Sequence, residues 1–202
     1  MRILNTSSQD EMIAIFLKGE LGFNRVTDNR ARVMDLEAID PKIITEPNIN
    51  SKQENQQRSE LFQRFRGWPD TKLFSYFPTN LQWSWVEFGL DELLDAKFIN
   101  YSYWVELSDG TRRVKDASRN VLADKIVFNV SNDHFFQVAK AVKLKAPITP
   151  LIFVAESSQG QKYILEGHVR SVGYALAKSS SPIVLLLGIG EGIEKWAKVD
   201  RS

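Results

Sequence analysis

Gln161-Lys162-Tyr163-Ile164-Leu165-Glu166-Gly167-His168-Val169-Arg170-Ser171-Val172-Gly173-Tyr174-Ala175-Leu176 reads as a short strand that runs through a glycine into an amphipathic helix. Tyr163 to Leu165 form the strand-like apolar run. After Gly167, the residues Val169, Val172, Gly173 and Leu176 keep the i, i+3, i+4, i+7 spacing of one helix face. At the junction stand Glu166, His168, Arg170 and Ser171. A helix N-terminus presents unpaired N–H groups and a positive dipole end, and Arg170 adds a fork of donors. The junction therefore has the makings of an anion site with a carboxylate and an imidazole beside it. The same residues fit a plainer arrangement, in which Glu166 and Arg170 pair at the end of a strand and His168 caps the turn. One glycine followed by one basic residue does not choose between the two.

Around this stretch the rhythm is α/β from Asp124 onward. Ile126-Val127-Phe128 predicts a strand. Ser131 or Asn132 can cap a helix in which Phe135, Val138, Ala139 and Val142 face inward. Pro147 and Pro150 flank the next connection, Leu151 to Val154 predicts a buried strand, and Ser157-Ser158-Gln159-Gly160 a turn. Beyond the central helix, Ser179-Ser180-Ser181-Pro182 reads as a loop and Ile183 to Leu187 as another buried strand. Gly188, Gly190 and Gly192 lack both the Lys-Ser/Thr ending of a phosphate loop and the dinucleotide spacing. Ile193 to Trp196 closes with a short helix.

The first half is less regular. Ser8-Gln9-Asp10-Glu11 has capping-box spacing ahead of Met12, Ile13, Phe16 and Leu17, and this helix ends near Gly19 or Gly22. Arg25, Arg30 and Arg32 follow in a polar stretch, as a solvated surface or a phosphate contact. Pro41 and Pro47 bracket a loop with Ile43-Ile44-Thr45 extended. Ser51-Lys52-Gln53-Glu54 caps a second helix with Leu61, Phe62 and Phe65 inward and Arg58, Arg64 and Arg66 giving it a basic tint. Gly67-Trp68-Pro69-Asp70 stops it. Leu73 to Pro78 and Trp83 to Phe88 are aromatic-rich, either a satellite core or a surface on which bases stack. Asp91 to Leu94 begins a short helix. Tyr101 to Leu107 predicts a strand and Ser108-Asp109-Gly110-Thr111 the turn after it. Arg112, Arg113, Lys115, Asp116 and Arg119 then make the densest basic patch. It is either a second anion-binding element facing the Glu166 to Ser171 turn or the solvated face of a hairpin.

Composition narrows the chemistry. The 202 residues are 43 % apolar and 25 % charged, with a net charge of +1, so no bulk basic surface for nucleic acid stands out. Without cysteine, disulfides, thiolate nucleophiles and cysteine zinc sites are excluded. Two histidines exclude a histidine-rich metal site and leave carboxylate-bound magnesium open. No apolar run approaches a membrane span, and Met1 to Asn5 lacks a signal core, so the expected location is cytoplasmic with no membrane partner.

The order strand, helix, Pro-bounded strand, turn, strand, Glu166-Gly167-His168-Val169-Arg170, helix, strand resembles the ParB/sulfiredoxin-like superfamily. That superfamily includes the CTPase domains of chromosome-partitioning proteins, the sulfiredoxins and free serine kinases. The resemblance covers about Leu122 to Leu187. It implies an α/β (α+β) fold in which a small mixed-sheet domain, 121–202, follows a mainly helical and hairpin N-terminal region, 1–120. It further implies nucleotide binding, ATP or CTP with Mg²⁺, and phosphoryl transfer or nucleotide hydrolysis. Glu166 would be the general base or metal ligand, and Gly167 would let backbone approach phosphate. His168 and Arg170 would hold phosphate oxygens, with Ser171 donating from the first helical turn. Arg112 and Arg113 join the phosphate site if their patch shares the cleft.

The chain departs from those relatives in two ways. Gly167 stands where sulfiredoxins carry their cysteine, which rules out sulfinic-acid reduction, and the partitioning proteins' Gly-Glu-Arg-Arg signature is replaced. Two other functions stay open. One is a DNA-associated nuclease or DNA-binding module using the arginines at 58, 64, 66, 112, 113 and 119 on phosphates. The other is a non-enzymatic partner-binding domain. A homo-oligomer is compatible with all three.

Overall fold

The computed structural model describes residues 1–22 and 40–201. Its five strands, β1 (Arg2–Thr6), β2 (Gln82–Phe88), β3 (Leu151–Ala155), β4 (Lys162–Glu166) and β5 (Ile183–Ile189), form one sheet in the order β1-β2-β5-β3-β4. Only β3 and β5 are parallel; the other neighbours are antiparallel. The helices among the described residues are α1 (Gln9–Gly22), α2 (Lys42–Thr45), α3 (Lys52–Arg66), α4 (Leu90–Asp95), α5 (Ser102–Leu107), α6 (Val114–Leu122), α7 (Asp133–Lys143), α8 (His168–Ala177) and α9 (Ile193–Lys198), with a 3-10 turn at Lys72–Phe74. The fold is thus the expected mixed α/β class. No described helix is long and apolar enough to cross a membrane.

Side-chain alternation along the strands divides the apolar residues into two cores. Leu151, Phe153 and Ala155 of β3, with Ile183, Leu185 and Leu187 of β5, meet Leu93, Trp104, Leu107, Ala117, Phe135 and Val172 from α4 to α8. Ile152, Val154 and Leu186 point the other way, toward Met12, Phe16, Ile44, Leu61, Phe62, Phe74 and Trp196. The result is helix on sheet on helix. Because β3 is covered on both faces, and β5 is too apart from the exposed Val184 near its start, they read as unbroken apolar runs. Both cores draw residues from either side of position 120, and so does the sheet. The 1–120 and 121–202 division therefore does not separate two cores.

Local signals at helix ends act as the sequence predicts. Glu11 N–H donates to Ser8 Oγ at 3.2 Å and Glu54 N–H to Ser51 Oγ at 3.3 Å, while Gly67 ends α3 in the left-handed region at φ +72°.

Four segments correct the sequence reading. Tyr101 to Leu107 is not a strand: Ser102–Leu107 is α5, since burying Trp104 and Leu107 three residues apart requires helical spacing. Ser108 to Thr111 consequently joins two helices, so the Arg112 to Arg119 patch lies at the start of and along α6 rather than on a hairpin. Ile43-Ile44-Thr45 is a turn of helix, which lets both isoleucines enter the second core. Ile126-Val127-Phe128 forms no strand, only a Val127–Val130 bridge, with Phe128 and Asn129 at positive φ. In addition, Trp83 to Phe88 is a sheet strand, β2, whose Trp83 serves one core and whose Val86 and Phe88 serve the other. The arginines at 25, 30 and 32 lie outside the described residues.

Helices α7 and α8 meet at Gly173. A Cβ there would stand 2.3 Å from Val138 Cγ1 and 2.5 Å from Val138 Cβ. Gly173→Ala is therefore expected to destabilise the protein by about 1–3 kcal/mol through overpacking, and Val138→Ala added to it should recover part of that loss. Urea unfolding of the two variants checks both.

Candidate functional site

β4 ends at Glu166, Gly167 takes φ +96°, and α8 begins at His168. A side chain at Gly167 would be strained at that φ and would meet Leu151 Cδ2 at 2.5 Å, so packing alone requires glycine here. Ser171 is fully buried, and its hydroxyl donates to Gly167 O at 3.0 Å, inside its own helix. Arg170 is 2 % exposed and donates from Nη2 to Glu166 Oε1 at 3.0 Å.

Helix α1 lies over this pair: a Cβ on Gly19 would come within 3.2 Å of both Arg170 Nη2 and Glu166 Oε1. The next residue, Glu20, pairs with Arg66 at the end of α3. Burial raises the Glu166 pKa above the usual carboxylate value; Arg170 opposes this, and Glu20 adds to it.

This shift has a testable consequence. Because the folded carboxyl holds its proton more tightly than the unfolded one, its stabilising contribution is complete below the ordinary carboxylate pKa. It is lost as pH rises through the raised folded value. Glu166→Gln is expected to remove this part of the slope of stability against pH, which begins at the ordinary carboxylate pKa and extends above it. Urea midpoints for parent and variant across that range provide the check.

The other residues of the turn diverge. His168 stacks on Trp104 at a centroid distance of 5.4 Å and on Phe98 at 6.0 Å, among residues of the first core. Arg112 donates from Nη1 to Ala197 O at 2.8 Å and Arg201 from Nη2 to Trp196 O at 2.9 Å, so both cap the end of α9. Burial, then the neighbouring Arg112, lowers the Arg201 pKa to about 10. Arg113 pairs with Asp95 at 2.8 Å and Arg119 with Asp116 at 3.1 Å. Arg58 is fully buried. The structure thus keeps Glu166, Gly167, Arg170 and Ser171 together, turns His168 toward aromatic rings, and engages Arg112 and Arg113 with α9 and Asp95. Among the described residues no three His, Asp or Glu side chains stand close enough to share a metal ion.

A different surface is open. The last residue of α6, Leu122, is 63 % exposed, Phe136 of α7 is 44 % exposed, and Leu144 just after α7 is 69 % exposed. With Ala139, Leu176 and the chains of Lys140 and Lys143 they line a cleft of about 470 Å³. Half of the large apolar side chains exposed among the described residues lie between 122 and 144, the others there being Ile126, Phe128 and Val130. Lys140 and Lys143 enter no ion pair among the described residues, and no carboxylate lines the cleft.

Helical spacing predicts Phe135, Val138, Ala139 and Val142 inward and leaves this side of α7 unassigned. Its signal was the adjacent pair Phe135-Phe136, with Phe136, Lys140 and Leu144 repeating every four residues on another face. Comparison with protein-family models, with curated proteins and with solved structures finds no match to the chain.

Proposed function

We propose that this protein is a binding module whose working surface is the cleft between α6, α7 and α8. One observation carries the reading: Leu122, Phe136 and Leu144 converge on a recess while remaining 44–69 % exposed. Scattered exposed leucines need no explanation, but apolar side chains gathered around a concave site mark a place where something docks. The Glu166–Arg170 turn supports the same reading from the other direction. Its arginine, carboxylate and serine are all engaged with one another or with backbone.

An environment-sensitive apolar dye tests the proposal on the folded protein. Native parent protein is expected to enhance its fluorescence, and a Phe136→Ser/Leu144→Ser double variant to lose most of that signal. The variant should unfold within about 0.5 kcal/mol of the parent, because surface changes away from packed features cost little. Dye fluorescence identical in both proteins would refute the cleft as a docking site.

A nucleotide-phosphate site at the Glu166-Gly167-His168-Val169-Arg170 turn, using ATP or CTP with Mg²⁺, is the second reading. What favours it is the N-terminus of a ten-residue helix placed directly after a strand. A thermal-shift screen with ATP, CTP, GTP and ADP, with and without Mg²⁺, decides it. A stabilisation that disappears in His168→Ala would support this reading, and no shift with any nucleotide ends it.

A further inference from the structure

We infer that the occupant of the cleft is an amphipathic helix of a partner protein with acidic residues flanking its apolar stripe; this rests on the binding-module reading above. Charge is the first argument. Lys140 and Lys143 are exposed, belong to the lining and are unpaired among the described residues, and the lining holds no carboxylate. A basic partner would meet repulsion alone, whereas an acidic one is steered in and held in register.

Spacing is the second argument. The two lysines are three residues apart on α7, a rise of about 4.5 Å along the axis. Acidic residues one turn apart on a helix laid beside α7 match that rise. Same-face residues of an extended strand recur every ~6.7 Å and overshoot it.

Shape is the third argument. Leu122, Phe136, Ala139, Leu144 and Leu176 line a recess fed by three helices, which accepts the side chains of an inserted helix face. Leu122, Leu144, Ile126 and Phe128 also project from this side of the molecule, so an anionic bilayer is the competing occupant, and the vesicle arm of the test decides against or for it.

The test uses two fluorescein-labelled synthetic helices with leucines at i, i+3, i+4 and i+7. One carries glutamate at its polar positions and its twin carries lysine. Anisotropy titrations of the full chain are expected to give about tenfold tighter binding of the glutamate peptide, with the preference shrinking as salt rises. Lys140→Glu/Lys143→Glu should reverse the preference, and Phe136→Ser/Leu144→Ser should remove binding of both peptides.

Equal binding of the two peptides, lost in the serine variant, would overturn the acidic partner and leave the module reading standing. No binding of either peptide, with the dye still reporting the cleft, would overturn the helical occupant. Binding only to anionic lipid vesicles, or self-association that the serine variant abolishes, would overturn it in favour of a membrane or of a second copy. No dye enhancement by the parent, or the same signal in parent and serine variant, would instead remove the module reading.

Discussion

Arg170→Met is expected to destabilise the protein by about 3–5 kcal/mol near neutral pH, the cost of breaking a buried ion pair by removing one partner. Methionine fills much of the arginine's volume, so the loss comes from charge rather than from a cavity. Arg170 is 2 % exposed, the Glu166 side chain is 17 % exposed, and Gly19 of α1 covers both. Without the guanidinium, Glu166 must remain ionised with its nearest cation gone or take up a proton. Its already raised pKa would rise further, since Arg170 is the strongest of the groups that oppose the effect of burial, ahead of Arg66 and the Gly167 N–H.

The destabilisation should consequently shrink as pH falls and Glu166 becomes neutral. Adding Glu166→Gln to Arg170→Met should recover part of it, because a neutral amide replaces the stranded carboxylate. Urea unfolding of the single and double variants near pH 5 and pH 7 reads out both effects. An Arg170→Met variant as stable as the parent would mean that this arginine is held for an external anion and not for Glu166.

That junction shows where the sequence was legible and where it stopped. Residues 161–176 predict strand, glycine turn and helix, and β4, Gly167 and α8 follow that order. The run Leu151 to Val154 is readable because two-sided burial leaves no polar positions, and the run Ile183 to Leu187 because all but the exposed Val184 are buried. Whether Glu166 and Arg170 serve each other or a ligand was not readable. The deciding neighbours, Gly19 and Glu20, sit on a helix about 150 residues earlier in the chain.

Tyr101 to Leu107 misled for a different reason. Tyrosine, tryptophan and valine favour strands locally, but here tertiary burial of Trp104 and Leu107 sets the conformation. Helical spacing does tell the two adjacent phenylalanines apart: it predicts Phe135 inward, and Phe135 is buried while Phe136 is exposed. The cleft was not legible because Leu122 of α6 and Leu176 of α8 join Phe136 and Leu144 only through tertiary packing.

The second large effect is expected at Arg58, which the sequence offered as a surface contact to nucleic acid. Its side chain is fully buried. Nη1 donates to Ile43 O at 2.9 Å and to Glu54 Oε2 at 3.0 Å; Nη2 donates to Asn48 O at 3.1 Å and to Asn55 Oδ1. Asn55 in turn donates to Asp10 Oδ2 at 2.9 Å and to Ile49 O at 2.7 Å. One guanidinium therefore ties α3 to α2 and to the 46–51 connection, and through Asn55 to α1.

Arg58→Met keeps the apolar stem and removes every donor, stranding Ile43 O and the Asn55 amide oxygen and leaving Asn48 O only its bond from Ser51 N–H; a loss of about 3–5 kcal/mol is expected. Arg58→Lys keeps the charge but cannot reproduce a planar fork, so it should recover only a minor part. Both variants should also expose the 40–51 segment to limited proteolysis before the sheet unfolds, because this network is what anchors that segment to α3. If Arg58→Met unfolds within about 0.5 kcal/mol of the parent, the guanidinium is not the tie the geometry describes, and a surface role for this arginine returns.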